Sequence, residues 1–131
     1  MKSGLKHFRC LSFWKRNAMS VEAIDSLSIT SKDRGYELSI HSGNKEKIRK
    51  ISKEELESLL KTLLDEYDIL KSDKEYKAYL YEDDKEDFSL KFFLSLTMED
   101  YTYIAIKGIH PFKQPHYQDF LNLFKKYFEE I

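Results

Sequence analysis

The residues best suited to chemistry lie in one stretch, His110-Pro111-Phe112-Lys113-Gln114-Pro115-His116-Tyr117, which holds both prolines and two of the four histidines of the chain. Pro115 is placed as the first residue of a helix, and a helix start offers unpaired N–H groups to an anion. Lys113 and His116 could add charge or protons there, and with His110 and Tyr117 they make this a candidate anion or ligand loop. An enzyme site, if the chain has one, belongs here. Two histidines six residues apart lack the third ligand that a metal needs. No Ser, Thr or Cys is tied to either of them as a nucleophile. The plain alternative is a stiff connection whose prolines fix its direction.

The familiar catalytic signatures are missing: there is no glycine-rich phosphate loop, no Gly-x-Ser-x-Gly elbow, no His-Glu-x-x-His and no paired Cys-x-x-Cys. With four glycines in the chain, a backbone cradle for phosphate is hard to build. Glu82-Asp83-Asp84-Lys85-Glu86-Asp87 supplies oxygens but lacks the glycine and the ligand spacing of a calcium loop, and reads as a solvated or charge-recognising loop. We therefore assign no catalytic residue, no metal and no cofactor, and the reading leans away from an enzyme.

A second set is defined by parity. Phe88, Leu90, Phe92, Leu94, Leu96 and Met98 occupy every second position, so residues 88–98 form a strand with one buried face. Lys91, Phe93 and Thr97 then point away from the core, together with Tyr79, Tyr81, Tyr103 and Lys107 of neighbouring strands. Aromatics interleaved with lysines on an open sheet can anchor a protein partner. They can equally stack the bases of a single-stranded nucleic acid. The candidate binding residues are Tyr79, Tyr81, Lys91, Phe93, Tyr103 and Lys107.

The elements that position these residues follow from periodicity. After an acidic turn, residues 101–107 return as a second strand. A three-residue loop sets Leu96 opposite Ile104 and Leu94 opposite Ile106, whereas a slip of one would turn both isoleucines out of the core. Upstream, Leu27 and Ile29 alternate with serines, residues 32–35 form a loop, and Tyr36, Leu38 and Ile40 return, pairing Ile29 with Leu38 and Leu27 with Ile40. Residues 47–51 make a short third strand whose lysines and arginine blunt an edge.

Ser52-Lys53-Glu54-Glu55 is a capping box and Ile51 with Leu56 a hydrophobic staple, so a helix runs from residue 53 to about 70 with Leu56, Leu59, Leu60, Leu63 and Leu64 on one stripe. Asp65, Glu66 and Asp68 stand at the wrong end of its dipole, a breach that suits either a cationic partner or a solvated face. Residues 76–81 alternate as another strand. Beyond Pro115 a last helix carries Tyr117, Phe120, Leu121, Phe124, Phe128 and Ile131 on its apolar side.

The fold class is therefore α+β: an antiparallel sheet of five or six strands, in the order β-β-β-α-β-β-β-α, with two main helices packed on one face. A chain of 131 residues fits one domain. Residues 1–21 stand apart, with Lys2, Lys6, Arg9, Lys15 and Arg16 and no acid before Met19. They read as a basic extension, disordered or upstream of a start at Met19, or as a helix with Leu5, Phe8, Leu11 and Trp14 on one side that would suit a membrane surface or an organellar presequence. Residues 22–131 form the single α+β domain. Without that extension the chain is net acidic, which argues against a broad duplex-DNA footprint.

No apolar run approaches the roughly 20 residues that cross a bilayer. The lone Cys10 leaves no internal disulfide, so a reducing, cytoplasmic location is expected. The expected function is a small non-enzymatic protein-binding module of inhibitor, immunity or adaptor type. It would use the aromatic sheet face and the acidic loops, with another protein or a second copy of itself as partner. Single-stranded nucleic-acid binding through the same face is the alternative, and an enzyme using residues 110–117 the third.

Overall fold

Alternation of apolar and polar side chains becomes a sheet with one buried face, shown in a computed structural model that describes residues 7–16, 24–69, 92–99, 103–108 and 117–131. The strands are β1 (Phe8–Arg16), β2 (Ile24–Lys32), β3 (Gly35–Ser42), β4 (Lys45–Ile51), β5 (Phe92–Met98) and β6 (Tyr103–Gly108). Among the described residues they lie in the order β4-β3-β2-β1-β5-β6, every neighbouring pair antiparallel. Two helices, α1 (Lys53–Lys61) and α2 (Tyr117–Phe128), cover one face. This is the α+β class expected from the sequence.

The element order differs from expectation at the N-terminus. Residues 8–16 are neither an extension nor a helix; they form β1, an inner strand hydrogen-bonded to β2 on one side and β5 on the other. Leu11 and Phe13 are buried while Ser12 and Trp14 face the other way, the signature of a strand. The pattern is hard to see because the register shifts between Phe8 and Cys10, so Phe8 is buried out of phase with Leu11. Four described strands thus precede α1 rather than three. The strand expected at 76–81 and the first residues of the one expected at 88–98 lie outside the described residues.

Both predicted hairpin registers are present. Leu96 stands opposite Ile104 and Leu94 opposite Ile106; Ile29 stands opposite Leu38 and Leu27 opposite Ile40. The β2–β3 loop is tighter than predicted, since Lys32 pairs with Gly35, whose φ of 137° a side chain would resist. At β3–β4 only Gly43 and Asn44 are unpaired. Gly43 has a φ of 62° and Asn44 does not share its sign, so this is a turn with glycine at the first central position, matched to strand twist.

Ser52 caps α1, accepting the Glu55 N–H at 3.1 Å, and Ile51 and Leu56 are both buried, as the staple requires. The reciprocal arm of the box is not made, because the Glu55 carboxylate turns to Arg49. Past Lys61 the helix widens into a π turn, Thr62–Glu66, and Asp68 adopts a φ of 47°. The helix thus ends short of residue 70. That turn carries Leu63 into the core, and Ile69 beyond it is buried as well.

The core lies between sheet and helices. Leu11 and Phe13 of β1, Leu27 and Ile29 of β2, Leu38 and Ile40 of β3, and Leu94 and Leu96 of β5 meet Leu56, Leu59, Leu60 and Leu63 from α1 and its π turn. The rings of Phe13 and Phe124 stack at 4.3 Å, which seats α2 over β1. Asp25, a buried acid at this face, accepts a 2.7 Å hydrogen bond from Ser42 and lies 3.8 Å from Lys15. No helix among the described residues is long and apolar enough to cross a membrane.

Candidate functional site

The described helices occupy one face of the sheet, and on the other, strand register lines residues up in rows. The central row is Ile48, Ser39, Ser28, Ser12 and Ser95, continued in β6 at the position of Ala105. Beside it run Lys50, Glu37, Thr30, Cys10 and Thr97, paired in β6 with Tyr103. On the opposite side run Glu46, His41, Ser26, Trp14 and Phe93, paired in β6 with Lys107. The middle of the face is therefore a band of small hydroxyls. One border is raised by Trp14 and Phe93, whose rings lie nearly parallel with centroids 6.4 Å apart.

Both rings are half-buried, so their flat surfaces are partly available to a visitor. Of the binding residues expected from the sequence, Phe93 is on this face beside Trp14, and Tyr103 and Lys107 occupy β6 positions opposite Thr97 and Phe93. Tyr79, Tyr81 and Lys91 lie outside the described residues. So do His110, Lys113, His116 and the acidic loop at 82–87; Tyr117 opens the described part of α2. Asp65, Glu66 and Asp68 are exposed at the end of the first helical segment. Trp14 is not among the site residues expected from the sequence, because the basic stretch around it reads as an extension; the alternation of Leu11 and Phe13 with Ser12 and Trp14 is the signal that marks it.

The open face offers one arrangement that resembles catalytic chemistry. Ser39 Oγ lies 3.3 Å from His41 Nε2, and a Glu46 oxygen lies 3.7 Å from the same nitrogen. In a Ser-His-acid triad the carboxylate holds the other ring nitrogen and fixes the tautomer. Here serine and carboxylate share Nε2, so the acid does not orient the ring to take the serine proton. Cys10 Sγ lies 3.6 Å from the Ser12 hydroxyl, a neutral neighbour that does not activate a thiol. At that end of the sheet a cleft of about 700 Å³ opens beside the β1 register shift, with Phe8, Arg9, Thr30, Tyr36 and Glu99 among its walls. Among the described residues no group of three or more His, Cys, Asp or Glu is placed to hold a metal.

The densest charge cluster among the described residues lies on the helix side, at β4. Arg49 donates to both oxygens of Glu130, at 2.7 and 2.8 Å, and reaches Glu55 at 3.5 Å, while Lys47 lies 3.3 Å from Glu130. This two-pronged bond holds the Glu130 carboxyl below its ordinary pKa and keeps Arg49 firmly charged. The cluster ties β4 to the start of α1 and the end of α2. It is architecture rather than a reaction centre. Nearby, burial pushes the Tyr127 hydroxyl up to about 12, with the Glu55 charge adding to the effect.

Compared with protein-family models, with curated proteins and with solved structures, the chain has no match.

Proposed function

We propose that the chain is a small non-enzymatic protein-binding module, of inhibitor, immunity or adaptor type, whose partner seats on the open sheet face around Trp14 and Phe93. The observation that carries this reading is the half-buried, nearly parallel Trp14–Phe93 pair beside a band of serines, on the face opposite the two described helices. Paired aromatics of this kind give a partner large contact area at small entropic cost. Serine hydroxyls supply adaptable hydrogen bonds without standing in the way. The Ser39-His41-Glu46 contacts put serine and carboxylate on the same ring nitrogen, which is not the arrangement of a triad.

The experiment is affinity capture with the full chain, read against Trp14→Ala and Phe93→Ala proteins that keep the wild-type circular dichroism. A protein retained by the wild type and lost by both variants is the expected result. Retention unaffected by either change sinks the reading. Salt-dependent binding of short oligonucleotides, abolished by the same two substitutions, would replace the protein partner with single-stranded nucleic acid.

A further inference from the structure

β4 is an edge strand among the described residues, hydrogen-bonded only to β3. Its turn shows which backbone groups it leaves unused. Gly43 and Asn44 form a two-residue loop, so the flanking pair Ser42 and Lys45 exchanges both hydrogen bonds, and so does every second pair beyond it. Lys47, Arg49 and Ile51 therefore spend their N–H and C=O groups on β3. Glu46, Ile48 and Lys50 direct theirs outward, away from the sheet.

Side chains divide the same way. Lys47 and Arg49 turn to the helix side, where Glu130 and Glu55 answer their charge. Glu46, Ile48 and Lys50 stand exposed on the other face, and Ile48, at 56% exposure, is the exposed large hydrophobic residue among those described. An acid, an aliphatic residue and a base at alternate positions form a self-complementary series. Turned end for end about Ile48, Glu46 meets Lys50, Ile48 meets Ile48, and Lys50 meets Glu46.

From this we infer that β4 pairs with β4 of a second copy of the chain, antiparallel about a twofold axis at Ile48. The three outward-facing residues of each strand would exchange about six backbone hydrogen bonds. The twofold brings the two Ile48 side chains together and makes two Glu46–Lys50 pairs on one face. On the other face Lys47 meets Arg49, but each copy already neutralises both through Glu130 and Glu55. The interface uses the sheet edge, so it stands apart from the Trp14–Phe93 face and from the reading placed on it.

The test is sedimentation of the full chain over a dilution series. The wild type dimerises with concentration. Ile48→Pro removes an outward N–H without touching the β3 ladder, and this variant is monomeric with unchanged far-ultraviolet circular dichroism. Glu46→Lys and Lys50→Glu each weaken the dimer about tenfold or more by setting like charges opposite. Mixing these two variants restores dimerisation, because every facing pair is again of opposite sign; the double variant E46K/K50E does the same alone. A wild type that stays monomeric up to about 1 mM overturns the inference. So does a dimer that survives both the proline and the single charge reversals, or one that Trp14→Ala dissociates while Ile48→Pro does not.

Discussion

Tyr127 is wholly buried on α2, and its hydroxyl feels the Glu55 carboxylate without making a hydrogen bond of standard geometry to it or to any other described residue. An unpaired buried hydroxyl costs stability, so Tyr127→Phe should raise the unfolding free energy by about 1 kcal/mol. The pH dependence carries the sign. In the fold this phenol ionises only near 12, against 10.0 for a free tyrosine, so the unfolded chain loses its proton first. The contribution of neutral Tyr127 is complete below pH 10 and disappears as the pH rises through that window. Urea titrations at rising pH should show the wild type losing stability there faster than the phenylalanine variant. Tyr127 was absent from the apolar stripe read from the sequence, which took Phe124 and Phe128. It lies three residues after Phe124, a spacing that suits the same side of a helix, but tyrosine is as often a half-exposed residue as a core one.

At the level of elements, Arg49 is the joint between the edge strand and both helices. Arg49→Met should cost roughly 1 kcal/mol near neutral pH, the scale of a partly exposed two-pronged pair. Because Arg49 depresses the Glu130 pKa, the stabilisation is present above the ordinary carboxyl value of 4.5 and is lost as pH falls below it towards the depressed one. The gap between wild type and variant, measured by urea unfolding, should therefore narrow on acidification. The Arg49–Glu130 pair is invisible in the sequence because the two residues are 81 apart. The hairpins were legible for the opposite reason: with neighbours close along the chain, a single slip at β5–β6 would expose Ile104 and Ile106, so parity left one register. The capping box was half legible, since Ser52 does cap α1 while Glu55 is drawn to Arg49 by a charge that local patterning does not show.

For the molecule as a whole, the decisive element is β1, an inner strand where the sequence predicts an extension. The strand is rich in aromatic and basic residues, and its alternation is broken by the register shift after Phe8. A chain beginning at Met19 would lack it, leaving β2 and β5 without a shared neighbour and removing Leu11 and Phe13 from the core. Each of those side chains is worth about 1.5–3 kcal/mol on burial, against a usual total of about 5–15 kcal/mol. Such a truncation should show no cooperative thermal transition; a sharp transition like that of the full chain would refute this.

The position of β1 also orders events in time. It leaves the ribosome before the other described strands, yet the strand that closes its far flank, β5, follows roughly eighty residues later. During synthesis the nascent chain can complete the β2–β3–β4 side while the aromatic border at Trp14 has no Phe93 to lie against. A pause before residue 92 would thus display a half-finished sheet to chaperones, and refolding from denaturant should be limited by that one long closure.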